Sequence, residues 1–84
     1  SKNFTNEPDY NSDLFEILRK VRRQIAEENN WPAYVVLSDK TLREIVSTPP
    51  LSIDDLHYIY GFGEKKIELF GQRFVDAVRD YLRQ

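Results

Sequence analysis

Trp31-Pro32-Ala33-Tyr34-Val35-Val36-Leu37 decides how the whole chain is read, because its β-branched and aromatic residues are those of a strand. A strand needs a partner. No second run of strand character occurs in the 84 residues, so a strand here would leave its backbone N–H and C=O groups unpaired. The segment is therefore expected as one helical turn or an extended packing segment, with Pro32 setting its start. The fold class that follows is all-α, short helices joined by tight turns.

Upstream of that stretch, Leu14, Leu18, Val21 and Ile25 recur at helical spacing, Phe15, Ile17 and Ala26 widen the stripe, and Ser12 or Asp13 can cap the start. On a helical wheel Arg19 and Arg23 lie opposite the stripe, Lys20 lies to one side and Arg22 borders Phe15, so these basic residues are expected in solvent. Glu16 with Lys20 and Arg23 with Glu27 are spaced as i,i+4 pairs, and part of this charge then only solubilises the helix. Residues 1 to 11 mix Asn, Ser, Thr, Pro and acids without period and read as a flexible tail or linker; residues 12–84 are expected to form the folded domain.

Downstream, Ser38 caps a helix that buries Leu42, Ile45 and Val46 and ends at Thr48-Pro49-Pro50. Ser52 with Asp55 opens a short helix that buries Ile53, Leu56 and Ile59 before stopping at Gly61. The last helical stretch runs from about Glu64 to Arg83, with a kink or a break into two helices at Gly71. Between these two, Gly61-Phe62-Gly63-Glu64-Lys65-Lys66 admits two readings. One is a helix C-cap with Phe62 as a core plug, and the other is a turn that offers N–H groups and lysines to a phosphate at a helix start.

Composition bounds the rest. A chain of 84 residues with 40% apolar content makes one small core and no second domain. With no Cys and one His, disulfide scaffolds and Cys/His zinc sites are excluded. No apolar run approaches the roughly 20 residues that cross a bilayer, and the polar start lacks a signal-peptide core, so a soluble cytoplasmic domain without membrane contact is expected. The net charge of −2 and pI near 5.3 argue against a module wholly committed to nucleic acid. Residues 17 to 43 nevertheless carry an excess of three positive charges, while acids gather at Asp54, Asp55, Asp76 and Asp80. Such a dipolar domain can bring one basic face to a phosphate backbone, weakly and with salt sensitivity.

Nothing in the chain assembles a catalytic group. His57 is flanked by Leu56 and Tyr58 on a short amphipathic helix and reads as a surface or boundary residue. Asp54-Asp55 are first-turn acids favoured by the helix dipole, and adjacent side chains that diverge by about 100° cannot close around one ion. The glycine turn lacks the Gly-Lys-Ser/Thr ending and buried strand of a nucleotide loop. No catalytic residue, metal or cofactor is expected.

Three segments taken in register resemble one family. These are Leu14-Phe15-Glu16-Ile17-Leu18-Arg19-Lys20-Val21-Arg22, then Pro32-Ala33-Tyr34-Val35-Val36-Leu37-Ser38-Asp39-Lys40-Thr41-Leu42, then Gly61-Phe62-Gly63-Glu64-Lys65-Lys66-Ile67-Glu68-Leu69-Phe70-Gly71. Together they are similar to the HRDC domain, the "helicase and RNase D C-terminal" module, over residues 14 to 82. The resemblance implies a compact bundle of five or six helices appended to RecQ-type ATP-dependent DNA helicases or RNase D-type exonucleases as an auxiliary, non-catalytic element. The wording around Pro32 to Leu42 is closest to bacterial RecQ helicases, which act in DNA repair and recombination. By that resemblance Tyr34, with Lys40, Arg43 and first-helix residues such as Lys20 and Arg23, would contact single-stranded or partly unwound DNA.

The same contact follows from elementary chemistry. An exposed ring stacks on an unpaired base, and neighbouring cations hold phosphates without reading sequence. Lys65 and Lys66 form a second candidate patch, tempered by Glu64 and Glu68. Against this stands Tyr34 as a core residue beside Trp31 and Val35. A second functional expectation is a monomeric protein-interaction module that docks on its own helicase core or a partner through Phe62, Tyr58 and Tyr60.

Overall fold

The computed structural model describes residues 12–84, and the expected tail at residues 1–11 lies outside them. The described chain is all-α, with no strand among its residues. Helix α1 (Ser12–Asn29) is the spine against which α2 (Ala33–Val36), α3 (Asp39–Ser47) and the C-terminal helix α6 (Gln72–Leu82) pack. It ends in a Schellman motif: Asn30 takes a left-handed φ of 57°, and the N–H groups of Trp31 and Asn30 donate to the carbonyls of Ala26 and Glu27. The Asn29-Asn30 pair is thus what turns the chain, since asparagine tolerates that conformation better than most side chains.

The strand-like stretch holds one helical turn, Ala33–Val36, between extended residues. α2 is a single turn in which Val35 N–H reaches the Pro32 carbonyl, and Val36 and Leu37 are fully buried behind it. Ser38 caps α3, its Oγ accepting from Thr41 N–H at 3.2 Å. Ser52 caps α4 (Ile53–Leu56), which is shorter than expected because His57 to Gly61 wind on as turns; Leu56 and Ile59 are buried, and Ile53 only partly. Asp55 does not reach back to the N–H of Ser52 but to that of Leu51, at 2.9 Å.

From Gly63 the chain is helical to Leu82. α5 (Glu64–Lys66) widens into a π-helical turn over Ile67–Gly71 and narrows again into α6. The break into two helices that Gly71 could have made does not occur: the helix runs on through the wide turn. A Cβ on Gly71 would stand 2.8 Å from Leu56 Cδ1, so any side chain there would have to displace that buried leucine's tip.

Phe62, Phe70 and Phe74 meet edge-to-face with centroids 5.8 to 6.3 Å apart, and with Leu14, Leu18, Ile25, Leu42, Ile45, Val75 and Val78 they fill the interior. Outside it, Arg73 of α6 grips Glu28 of α1 with both guanidinium branches, at 2.6 and 3.0 Å. That hydrogen-bonded pair holds the Glu28 carboxyl below the usual glutamate range and raises Arg73 further. No described helix is long and apolar enough to cross a membrane.

Candidate nucleic-acid interface

The glycine turn and the start of α3 are built as one unit. Gly61 has φ +92°, and a Cβ there would land on Thr41 Oγ1, so only glycine lets the turn press against α3. Thr41 Oγ1, itself buried, donates to the carbonyl of Tyr60 at 3.0 Å, and Glu44 Oε2 accepts from the N–H of Tyr60 at 3.2 Å. Phe62 then plunges into the core at 4% exposure. It is a core plug, as one reading of the loop has it, and the expectation of Phe62 as a partner anchor is corrected: its ring is spent on Phe70 and Phe74.

Tyr34 stands outside at 73% exposure on α2 and makes no hydrogen bond or ring contact among the described residues. Its placement in the interior is thereby excluded. Lys40 and Arg43, three residues apart on α3, share one exposed face. Lys40 Nζ lies 4.4 Å over the ring centroid of Tyr60.

On α1 the pairing differs from expectation. Glu16 joins Arg19, not Lys20, and Arg22 turns inward, its side chain 11% exposed, to bind Asp39 at 2.8 Å and the Leu37 carbonyl at 2.9 Å. Arg22 is a strut between α1 and the α2–α3 junction, and its expected place in solvent is corrected. The stripe logic failed because the α2–α3 junction covers the flank beside Phe15 as well as the stripe itself.

The ion pairs among the described residues are Arg19–Glu16, Arg22–Asp39, Arg73–Glu28 and Arg83–Asp80. Lys20, Arg23, Lys40, Arg43, Lys65 and Lys66 enter none of them. Of these six, Lys40 and Arg43 are brought together, with Tyr34 leading into their helix through the Ser38 cap. At about 100° per residue, Arg23 flanks the side of α1 that Arg22 turns to α3, whereas Lys20 sits roughly 160° round from Arg22 and away from it. Lys65 and Lys66 follow the glycine turn on α5, an element separate from the α2 turn that carries Tyr34.

The residue that sequence reasoning set apart from this face is Tyr60, which it treated as a protein anchor. The signal was present in the alternation of Tyr58, Ile59, Tyr60 and Phe62, which sends Ile59 and Phe62 inward and both tyrosines outward. Among the described residues no three His, Cys, Asp or Glu side chains gather as ligands of a metal would.

The arrangement can stack planar groups and bind anions. It matches known proteins along nearly its whole length. The model of the HRDC domain family matches residues 11–78. The chain is similar to the ATP-dependent DNA helicase RecQ of Bacillus subtilis, 42% identical over 73 residues that make up 87% of this chain and 12% of that protein. It is likewise similar to the RecQ helicase of Haemophilus influenzae, 40% identical over 86% of this chain and 12% of the relative. To the ATP-dependent DNA helicase UvrD2 of Mycobacterium tuberculosis it is 37% identical over 84% of this chain and 10% of the relative. The chain thus spans only a small fraction of the length of these curated relatives. Among solved structures, the third HRDC domain of D. radiodurans RecQ superposes with a TM-score of 0.81 at 32% identity, over 95% of this chain and all of that one.

Proposed function

This chain belongs to the HRDC domain family, an auxiliary domain of RecQ-type helicases, and on that footing we propose that it binds single-stranded or partly unwound DNA weakly and without sequence preference. The observation that carries the reading is an exposed Tyr34 leading into α3, where Lys40 and Arg43 enter no ion pair among the described residues. A base stacks on the ring, at about 1–3 kcal/mol per base, while the cations take the phosphates. Arg23 adds a third phosphate contact, and Lys20, Lys65 and Lys66 extend the positive field.

Three phosphate contacts give a slope of about −2 for log Kobs against log salt on a single strand, and so few contacts leave the affinity micromolar or weaker. The parent protein is then an ATP-dependent DNA helicase of DNA repair and recombination in the bacterial cytoplasm. The domain does no chemistry and tunes which DNA the helicase engages. Anisotropy titrations with an oligo-dT strand test this: wild type should bind at low salt, and Tyr34→Ala and Lys40→Ala should each weaken binding. No binding at low salt would overturn the reading.

A second reading, docking on the helicase core of the same chain or on a partner, is favoured by a groove of about 350 Å³ between α3 and α4. Pro49, Pro50, Tyr58 and Ile59 line it together with Glu44 and Asp55, so it repels DNA and suits protein. Under that reading Tyr58→Ala in the full helicase changes ATPase or unwinding while leaving oligonucleotide binding by this domain intact. The same docking would serve an RNase D-type parent.

A further inference from the structure

We propose that Tyr60 is a second base-stacking residue, placed on the DNA face by α3 and primed by Lys40; this rests on the single-stranded DNA reading given above. Tyr60 is 63% exposed, yet its backbone is fixed at both ends of the residue. Thr41 Oγ1 holds its carbonyl at 3.0 Å, and Glu44 holds its N–H at 3.2 Å. The left-handed glycine that follows permits that approach. Packing does not require this ring, since Ile59 and Phe62 on either side are the residues that go inside.

What lies on the ring is a cation. The Lys40 ammonium, 4.4 Å over the centroid, narrows the ring's orientations and leaves its opposite face for a planar ligand. Lys40 enters no ion pair among the described residues, so its charge remains available to the phosphate of a nucleotide whose base lies on Tyr60. Flat aromatic faces beside unpaired cations are what sequence-tolerant single-strand sites combine.

The two neighbouring tyrosines part company here. Tyr58 lines the groove with Glu44 and Asp55, where a phosphate is repelled, and Tyr60 turns to Lys40. Glu44 borders both, and at Tyr60 the Lys40 ammonium over the ring offsets the charge that Glu44 keeps. Tyr34 precedes the first turn of α3 and Tyr60 is bonded to that turn. A strand crossing the start of α3 would thus meet the Tyr60 ring and the Lys40 ammonium together.

The test is anisotropy with labelled oligo-dT at low salt, using this 84-residue chain as wild type, Tyr60→Ala, Tyr60→Leu, Tyr60→Phe and Tyr34→Ala. The expected result is a loss of at least about fivefold for Tyr60→Ala and Tyr60→Leu, wild-type affinity for Tyr60→Phe, and unchanged melting temperatures. The salt slope should not move, because no phosphate contact is removed. On a strand of abasic deoxyribose phosphates, wild type and Tyr60→Ala should bind alike. If Tyr60→Ala binds oligo-dT as wild type does while Tyr34→Ala is weakened, the role of Tyr60 falls and the DNA reading stands. An equal loss on the abasic strand also removes Tyr60 as a stacking residue. Failure of wild type to bind oligo-dT at all brings down the parent reading with it.

Discussion

Phe62, Phe70 and Phe74 meet ring to ring inside the bundle, whereas Tyr34, Tyr58 and Tyr60 stand in solvent at 73, 86 and 63% exposure. The two sets differ by one hydroxyl per ring. Burying that hydroxyl without a hydrogen-bond partner costs about 1–3 kcal/mol, which offsets much of what the ring gains by leaving water. An exposed ring keeps its apolar face and a polar edge, and that combination suits a nucleobase flanked by phosphates better than it suits a core. Under the proposed reading, stability and binding are divided between two kinds of aromatic residue. Tyr81, half-buried against the core, is the intermediate case.

The comparison breaks first at Phe74, the fully buried corner of the phenylalanine triangle. Phe74→Ala should lower unfolding free energy by about 3–5 kcal/mol in urea denaturation, a large share of what a domain this size holds. A loss below about 1 kcal/mol would mean the triangle is not the core. Next comes Gly61→Ala, which forces a side chain onto Thr41 at φ +92° and should cost on the order of 1–3 kcal/mol. Because the same turn carries Tyr60, oligo-dT affinity should fall with it.

Tyr34→Ala sharpens the contrast from the other side. Stability should change by less than about 0.5 kcal/mol, while oligo-dT affinity falls at least about fivefold. A Tyr34→Ala protein that melts as Phe74→Ala does would erase the distinction.

The smallest effect belongs to the exposed Arg73–Glu28 pair beside Phe74. Its carboxyl titrates below the ordinary glutamate range when folded, so its contribution is present above that range and fades as pH falls through the folded value. Glu28→Gln should therefore be marginally less stable than wild type at neutral pH, and the difference should close in acid. Urea midpoints at pH 7 and pH 3 measure it.

Most of the fold was legible in the sequence because its signals are local. Ser38 and Ser52 cap helices where a Ser precedes an apolar run, Thr48-Pro49-Pro50 stops one, and the lack of a pairing partner left Trp31 to Leu37 as one helical turn or an extended segment, of which Ala33–Val36 takes the helical form. The misses needed tertiary knowledge. Arg22 lies beside the apolar stripe, and only the position of Asp39 and the Leu37 carbonyl decides that it turns inward and is paired. Tyr60 looked like Phe62 as a surface anchor, and only the contacts of Thr41, Glu44 and Lys40 separate an outward ring from an inward one. The π-helical turn at Ile67–Gly71 has no composition of its own beyond the glycine.

Under the proposed reading, an exposed ring and two cations of α3 that enter no ion pair among the described residues hold a single strand by stacking and charge alone. A salt titration of oligo-dT binding by wild type, Tyr34→Ala and Lys40→Ala tests it most directly. The account predicts a wild-type slope near −2, an unchanged slope with weaker binding for Tyr34→Ala, and a slope shallower by about 0.7 for Lys40→Ala. Tight, salt-resistant binding, or identical curves for all three proteins, would contradict it.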